Sequence, residues 1–351
     1  MCDLQMLKFI SINDDSSVPK YLQIINSIVQ NISVGNITTG DKIPSINSLS
    51  VEYYLSRDTV ARAYNILKER NIIVSIQGKG NYISKTKLIS KTNILFLVNK
   101  LSDYKLKIYN SFRESLGENT HTDLHVYHCD ESIFIELLKK YKSAYDYYVI
   151  MPHFKTENLK HTSCTKAVGE LMNMIPKDKL VVLDNDKHNV EGDFAEVYQD
   201  FENDIYNALS SGIDILKKYD KIELVYPEKS LYPYPDGIVH GFRKFCVHNK
   251  FEFNILNEIN DATRVEKKTL YITIKESDLV SLINKIRFRD LEMGKDVGVI
   301  SYNDTSLKDL LGISVVSTDF KIMGENAAEI IKEHKKTKIK APFNFIDRRS
   351  A

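Results

Sequence analysis

Tryptophan is absent from this 351-residue sequence, and cysteine is scarce, with four residues. The cysteines have no CxxC spacing, which argues against a disulfide framework or a cysteine-rich metal site and favours a reducing cytoplasm. No apolar run approaches the roughly 18 residues that a membrane-spanning helix needs. The first residues, MCDLQMLKFISINDD, also lack the basic start and cleavage site of a signal peptide. We therefore expect a cytoplasmic protein that is neither exported nor inserted into a membrane.

An excess of one charge and the common enzyme motifs are missing as well. The formal net charge is +1, so any affinity for nucleic acid has to come from local placement of basic residues. The chain contains no GxxxxGK(S/T), GxSxG or HExxH pattern and nothing resembling a cofactor-binding lysine motif. His121, His125, His128 and Cys129 could bind metal, but on a strand their side chains alternate between two faces. We predict no enzyme, no cofactor and no metal site.

Three short helices and a hairpin are predicted in the first 84 residues. Apolar residues at spacings of three and four in KYLQIINSIVQNISVG indicate the first helix. Ser45 can cap a second helix and Ser56 a third, whose start SRDT crowds polar side chains at one end. Two short helices joined in this way are typical of a helix-turn-helix. NIIVSIQGKGNYIS then predicts two strands, residues 72–76 and 81–84, around a glycine-rich turn.

The start of the third helix suits contacts with DNA. Residues at the N-terminus of a recognition helix reach bases and phosphates, so Arg57 can bond guanine at two points while Ser56 and Thr59 bind phosphate oxygens. In the turn, glycines let the backbone approach a groove, with Lys79 at the tip. A solvated helix and hairpin without function is the plainer interpretation, but three consecutive elements agree. We predict that residues 1–84 bind double-stranded operator DNA.

Residues 18–84 resemble the DNA-binding head of the GntR family of bacterial transcription regulators. The resemblance rests on GDKIPSINSLS, LSRDTVARAYNILKERNII and GKGNYI, in the family's order and spacing. It implies a winged helix-turn-helix, an α+β fold, with Asn47 where the family usually has arginine. The predicted DNA-binding residues, from the two helix starts and the wing, are Ser45, Asn47, Ser56, Arg57, Thr59, Arg62, Gly78, Lys79 and Gly80.

A polar, basic stretch at residues 85–91 is the predicted linker, after which apolar runs alternate with helical segments. Such alternation argues for parallel sheets covered by helices on both faces. About eight strands over some 250 residues fit two lobes better than one. We predict that residues 92–351 form a two-lobed α/β effector domain with doubly wound parallel sheets. The strand-like runs are NILFLVN, DLHVYHC, YDYYVIMP, KLVVLDN, KIELVYP, FEFNIL, TLYITI and DVGVISYND.

Residues 92–340 resemble the sugar-sensing domain of LacI-type repressors, which is built like the type I periplasmic binding proteins. The likeness rests on VYQDFENDIYNALSSGIDILKKYDKIELVYP, GIVHGFRKF and GKDVGVISYNDTSLKDLLGISVVSTDFKIMGENAAEII. With a GntR-type head, this is the arrangement of arabinose-responsive bacterial repressors. The resemblance implies a repressor controlled by a monosaccharide between the lobes. Ile238 stands where the family often has a sugar-binding arginine.

Polar residues that follow the strands are the candidate effector ligands, because ligands of open α/β sheets bind at the carboxyl ends of the strands. Buried sugar hydroxyls each need a partner, and a stacking ring has to come from tyrosine or phenylalanine, such as Tyr232 or Tyr234. Taken singly, these residue types also serve caps and turns. We expect Asp184 and Asn303 to reach one ligand from opposite lobes. The predicted effector-binding residues are Asn99, His153, Asp184, Tyr234, Asp278, Asn303 and Asp304.

The predicted function is a sequence-specific transcription repressor that acts as a homodimer. One winged head makes too few contacts for strong specificity, so two heads on a palindromic operator are expected. Two alternatives stay open. The chain could be an architectural DNA-binding dimer without a ligand, or an enzyme with a DNA-binding regulatory head.

Overall fold

The computed structural model describes residues 6–14, 16, 18–84, 92–141, 144–185 and 189–351. The chain divides into two compact units, Met1–Thr92 and Asn93–Ala351, and each is described by itself. The linker predicted at residues 85–91 lies outside the described residues.

The first unit is a winged helix-turn-helix, as predicted. Its β-strands pair antiparallel, with Ile73 opposite Ile83 and Ile76 opposite Gly80. Apolar residues from every helix and from the hairpin fill one core. The elements are α1 (Lys20–Ser33), α2 (Ile46–Glu52), α3 (Arg57–Glu69), β1 (Ile73–Ile76) and β2 (Gly80–Ile83).

Serine caps define the starts of the two helices of the motif. The Ser45 hydroxyl accepts from the N–H of Ser48 at 3.0 Å, and the Ser56 hydroxyl accepts from the N–H of Thr59 at 3.1 Å. Each bond satisfies a backbone donor that has no partner within the helix. The local sequence therefore determines where both helices begin.

A buried tyrosine joins the helices of the motif. Tyr64 on α3 is fully buried, and its hydroxyl donates to the carbonyl of Pro44 at 2.7 Å. Pro44 immediately precedes the cap of α2, so this bond holds the start of α2 against the middle of α3. Tertiary packing, and not the turn alone, thus determines how the two helices meet.

The second unit is an α/β domain. None of its helices, and none elsewhere in the described part of the chain, is long and apolar enough to cross a membrane. In chain order its elements are β3 (Thr92–Val98), α4 (Asp103–Leu116), β4 (Thr120–Val126), α5 (Glu131–Lys140), β5 (Tyr147–Ile150), β6 (Phe154–Lys155), β7 (His161–Thr162), α6 (Lys166–Asn173), β8 (Leu180–Leu183), β9 (Ala195–Tyr198), α7 (Phe201–Ser211), α8 (Ile213–Leu216), β10 (Lys221–Val225), α9 (Gly237–Asn249), β11 (Glu252–Leu256), β12 (Thr269–Thr273), α10 (Glu276–Phe288), β13 (Gly298–Tyr302), α11 (Ser306–Leu310), β14 (Ser314–Thr318), α12 (Phe320–Glu333), β15 (Lys338–Lys340) and β16 (Phe343–Ile346).

Two six-stranded sheets form two lobes, as predicted. The order is β15-β9-β8-β5-β3-β4 in the first lobe and β11-β10-β12-β13-β14-β16 in the second. The inner strands pair parallel, whereas the edge strand β16 runs antiparallel to β14. Helices cover both faces of each sheet, so each lobe has two apolar cores. Strands buried on both faces explain the continuous apolar runs of the sequence.

The chain passes between the lobes three times, after β9, after β14 and after β15. The crossing segments are bonded to their neighbours. The N–H of Asp319 donates to the carbonyl of Pro342 at 2.8 Å, and the N–H of Ala341 donates to the carbonyl of Tyr198 at 2.8 Å. Movement of one lobe against the other therefore has to pass through these segments.

Two glycines of the LacI-like motifs allow close helix packing. A Cβ on Gly241 of α9 would collide with the carbonyl oxygen of Glu202 on α7. A Cβ on Gly324 of α12 would collide with the carbonyl oxygen of Ile108 on α4. Only glycine lets the backbones approach so closely. These contacts fix α9 on the second lobe and α12 on the first.

Candidate DNA-binding surface and effector cleft

The residues predicted to contact DNA lie at the surface of the first unit. Arg57 is the first residue of α3 and makes no ion pair within the described residues. The guanidinium carbon of Arg62 lies 4.1 Å from the centroid of the Tyr21 ring on α1, and this cation–π contact holds the side chain in place. Thr59 is half-buried, and the exposed residues are Ser45, Asn47, Ser56, Arg57, Arg62, Gly78, Lys79 and Gly80.

The turn between β1 and β2 carries a lysine at its tip and a second lysine beside it. Gly78 and Gly80 have φ of +73° and +108°, which residues with a Cβ rarely adopt. Lys79 lies between them. Lys42, which was not predicted, packs along the wing, since a Cβ on Gly80 would lie 3.2 Å from its Cε. The GDK turn before the second helix was the signal that could have indicated it.

In the second unit, Asp184 is the centre of a buried polar network. Asp184 is 1% exposed. Its Oδ2 accepts from Lys105 Nζ at 2.8 Å and from His153 Nε2 at 2.9 Å, and its Oδ1 accepts from the amide of Gln199. Burial raises the pKa of the carboxyl, but Lys105 and His153 outweigh it and hold the pKa well below its usual range. Asp184 is therefore an ionised group that positions its neighbours.

Two histidines extend this network in their neutral form. His153 Nδ1 lies 2.8 Å from His161 Nε2. Burial lowers the pKa of both imidazoles. The bonds therefore assign the tautomers: His161 donates through Nε2 to His153, and His153 donates through Nε2 to Asp184.

Gln199 connects the network to the segments that cross between the lobes. It follows β9, and its side-chain oxygen accepts from the hydroxyl of Thr318 at the end of β14. Both side chains are almost fully buried. Asp184 is thus bonded to one crossing segment directly and to a second through Gln199. Lys105, Gln199 and Thr318 were not predicted, because no local pattern indicates their partners.

Five buried polar atoms that have no hydrogen-bond partner belong to residues at the carboxyl ends of strands or at the starts of the following helices in the two lobes. Among the described residues seven side-chain polar atoms are buried in this way, and the other two belong to Thr122 and Tyr219. Buried polar groups are almost always bonded, so such a cluster needs an explanation. Hydroxyl groups of a bound ligand would satisfy it. The five are Asn99 Oδ1 and Ser102 Oγ from the end of β3 in the first lobe, and Asp278 Oδ2, Tyr302 Oη and Asn303 Oδ1 from the second lobe.

The lobes approach each other in two regions. On one side, Asp103 and Tyr104 of the first lobe line a groove with Asp304 and Thr305 of the second. On the other side, the loop after β10 reaches the first lobe through three contacts. These are His128 Nδ1 to Tyr232 Oη at 3.1 Å, the N–H of Ser230 to the carbonyl of Leu159 at 3.1 Å, and Lys160 Nζ to Glu228 Oε1 at 3.2 Å.

Asn303 and Asp304, both predicted to bind the effector, have different surroundings on the second lobe. Asn303 follows β13 with φ of +63°, and its backbone carbonyl accepts from Lys308 Nζ at 2.8 Å. Its side-chain oxygen has no partner and is one of the five unpartnered atoms. Asp304 instead accepts from both terminal nitrogens of Arg348, at 2.8 Å and 2.9 Å. Asp304 therefore stabilises the second lobe through an ion pair and has no free carboxylate. Asp278 keeps one unpartnered oxygen, while the other accepts from the N–H of Ile259 at 3.0 Å.

The metal-capable residues in HTDLHVYHC do not all lie on a β-strand, as the sequence analysis assumed. β4 ends at Val126, so His128 and Cys129 follow the strand and have positive φ of 52° and 55°. Alternation along a strand therefore does not apply to these two residues. His121 contacts Asp123, and His125 packs on a tyrosine ring. In the described parts of the chain, no three His, Cys, Asp or Glu side chains form a group that could hold a metal ion.

Comparison with known proteins supports both units. Residues 20–83 match the family described as bacterial regulatory proteins, gntR family. The mannosyl-D-glycerate transport/metabolism system repressor MngR of Escherichia coli is 32% identical over 107 residues, which cover 30% of this chain and 38% of that protein. The arabinose metabolism transcriptional repressor of Geobacillus stearothermophilus is 30% identical over 93 residues, 26% of either chain. The chain thus matches well under two thirds of these relatives' lengths.

Solved structures match the fold of most of the chain. The trehalose repressor from Escherichia coli superimposes with a TM-score of 0.59 at 15% identity, covering 73% of this chain and 100% of that one. A LacI family transcriptional regulator from Lactobacillus casei with bound glucose gives 0.56 at 12% identity, covering 74% and 100%. The chain therefore carries a GntR-type helix-turn-helix domain at residues 20–83, followed by an α/β unit with the fold of LacI-family regulators.

Proposed function

We propose that this protein is a sequence-specific DNA-binding repressor, acting in the cytoplasm, that is controlled by a small carbohydrate bound between the lobes of its second unit. The observation that carries the proposal is the cluster of five unpartnered polar atoms at the ends of β3 and β13 and the start of α10. A sugar is the ligand class that offers several hydroxyls to such a cluster. The names of the relatives, which refer to mannosyl-D-glycerate, arabinose and trehalose, support this choice.

Control requires two arrangements of the lobes. The unpartnered atoms are buried, so the structure has to open before a ligand can reach them, and separation of the lobes is the movement that we propose. Such a movement would pass through the crossing segments and would alter the bond between Thr318 and Gln199. A sugar shifts the equilibrium only by the difference between its affinities for the two arrangements. An inducer would therefore bind more tightly to the arrangement with the lower affinity for DNA.

Two heads are needed for a selective repressor. The base and phosphate contacts available to one winged head are few, and a homodimer on a palindromic operator doubles them. We include homodimerisation through the second unit in the proposal. Sedimentation of the purified protein, alone and with an operator duplex, measures the number of chains for each duplex.

The full proposal is tested by selecting the operator from random duplexes and then titrating it with and without sugars. Glucose, ribose, sucrose, arabinose and their phosphorylated or acidic forms make up the panel. We expect one member to raise the melting temperature of the second unit and to change operator affinity at least tenfold. Operator binding with no response to any member would favour the architectural alternative, and failure to select any sequence would contradict the assignment as a repressor.

A further inference from the structure

Lys100 lies between the two lobes and has no anionic partner in the part of the chain that the structure describes. It is half-buried at the end of β3, next to Asn99. Its Nζ lies 5.1 Å from the ring centroid of Tyr234 and 5.7 Å from that of Tyr232, and both tyrosines belong to the second lobe. Within the described residues, no carboxylate oxygen is within ion-pair distance of Lys100.

The charged and titratable groups around Lys100 do not neutralise it. They are Lys105 on α4, Cys129 after β4 and Asp184 after β8, in addition to the two tyrosine rings. Asp184 is already bonded to Lys105 and His153. Burial, followed by repulsion from Lys105, lowers the pKa of Lys100 to about 8, although Cys129 and Asp184 act in the opposite direction. An ammonium group removed from water is unfavourable unless an anion pairs with it.

The unpartnered atoms nearby define the rest of the ligand. The oxygens of Asn99, Asn303 and Asp278 can only accept hydrogen bonds, so they need donors such as hydroxyl groups. Lys100 can only donate and favours a negatively charged acceptor. The two requirements point to one molecule with hydroxyls along part of its length and a negative charge at another part.

Resting on the proposed function, we propose that the effector is a polyhydroxylated molecule with one anionic group, either a carboxylate or a phosphate, which pairs with Lys100. The geometry does not identify the sugar ring of the effector. It does favour an acidic or phosphorylated sugar over the neutral sugar of the same ring, because a neutral ligand would leave the ammonium group unpaired.

The proposal predicts that the affinities of neutral and anionic ligands depend differently on pH. An anion binds the protonated form of Lys100, so its affinity should fall as the pH rises through about 8. A neutral sugar gains nothing from the protonated form, so its affinity should not fall over this range. Phosphate and carboxylate ligands are both fully charged above pH 7.5, so their own titration does not interfere.

The test is calorimetric titration of the full-length protein with matched ligands. The neutral probes are glucose, ribose and sucrose, and the anionic probes are glucuronate, glucose 6-phosphate, ribose 5-phosphate and sucrose 6-phosphate. Glucuronate against glucose 6-phosphate distinguishes a carboxylate from a phosphate. Each probe is titrated into the parent, into Lys100→Gln and Lys100→Arg, and into Lys139→Gln, which removes an exposed lysine of the same lobe. Lys100→Arg keeps the charge and shows whether position 100 tolerates change.

We expect an anionic probe to bind at least tenfold more tightly than its neutral counterpart to the parent, Lys100→Arg and Lys139→Gln. Lys100→Gln should reduce this preference to less than threefold. A neutral probe that binds as tightly as its anionic form, or a preference that survives in Lys100→Gln, would overturn the inference and leave the proposed function standing. Binding of no probe, in a protein that still binds its operator, would contradict the carbohydrate-controlled function itself.

Discussion

Asp184 and Asn303 occupy equivalent positions in the two lobes. Each follows a central strand, β8 or β13, with a left-handed backbone, φ being +77° and +63°. Each donates its N–H to the neighbouring strand, Asp184 to the carbonyl of Val197 at 2.9 Å and Asn303 to that of Val316 at 2.8 Å. Aspartate and asparagine tolerate this conformation better than other residues with a Cβ. The side chains differ in role, because Asp184 is bonded on both oxygens whereas the Asn303 side-chain oxygen is unpartnered.

Replacing Asn303 with glycine should shift the response to higher effector concentrations and leave operator binding without effector unchanged. Glycine accepts the left-handed backbone without strain, so only the side-chain contact is removed. The loss in effector affinity should be about 1–3 kcal/mol, the cost of a hydrogen bond to a buried group. Operator titration with and without the effector measures it. Lys250→Gly is the matched control, because Lys250 also has a left-handed backbone, at the end of α9; an equal response in both variants would exclude Asn303 from the site.

Replacing Asp184 with asparagine should destabilise the second unit. The side chains of Asp184 and Lys105 are 2% and 0% exposed, so the change leaves a buried ammonium group without its anion. Breaking a buried pair on one side costs about 3–5 kcal/mol. Urea unfolding of the single variants and of Asp184→Asn with Lys105→Met measures the coupling. If the double variant is no more stable than Asp184→Asn, the charge of Lys105 is not what makes the single change costly.

The second unit should lose stability as the pH falls below about 6.5. His153 and His161 have lowered pKa values in the fold, so below the ordinary histidine pKa the unfolded chain binds protons that the folded chain does not. The contribution is complete above pH 6.5 and falls by up to about 1.4 kcal/mol per pH unit for each histidine. Unfolding free energies at pH 7.5, 6.5 and 5.5 measure the slope.

His161→Gln is the informative variant for this dependence. A glutamine amide can still donate to His153, but it does not titrate, so the slope between pH 6.5 and 5.5 should become smaller. His240→Gln, which changes an exposed histidine on α9, should retain the parent slope. Equal slopes of unfolding free energy against pH in the parent, His161→Gln and His240→Gln would show that folding does not lower the pKa of His161.

Replacing Arg57 with alanine should weaken binding to the specific operator by about 1–3 kcal/mol, the usual value of a bidentate contact to guanine. Arg57 is exposed at the first position of α3 and makes no ion pair among the described residues, so folding should be unaffected. Arg70→Ala removes the same charge at the other end of this helix and serves as the control. Equal operator affinities of the parent and Arg57→Ala at one salt concentration would rule out α3 as the recognition helix.

Replacing Lys79 with alanine should weaken specific and random DNA alike. The tip of the wing is exposed, and a lysine there acts on phosphates through its charge. The slope of log affinity against log salt concentration should decrease in magnitude by about one. Titrations of an operator duplex and a random duplex at several salt concentrations provide the slope. A loss confined to the operator would instead place Lys79 against a base.

Local pattern was enough to predict the helix starts in the head, where Ser45 and Ser56 cap their own helices. All eight apolar runs are strands, and six of them are largely buried, which explains their continuous hydrophobic signal, whereas β4 and β11 are partly exposed edge strands. The sequence patterns did not indicate the helix Asp103–Leu116 or the strands Ser314–Thr318, Lys338–Lys340 and Phe343–Ile346 individually. The helix packs on α12 and β15 pairs with β9, so these partners lie far along the chain.

By itself, the sequence determined the order of elements, the two kinds of unit and the polar residues at the strand ends, because caps, periodicity and turn residues act over a few positions. Only the tertiary structure decided which of those polar residues are bonded. Asp184 meets Lys105, 79 positions away, and Asp304 meets Arg348, 44 positions away. Ion pairs form between groups that the topology brings within about 4 Å, whatever their separation along the chain. For that reason Lys100, which has no anionic partner among the described residues, could be recognised only in the folded chain.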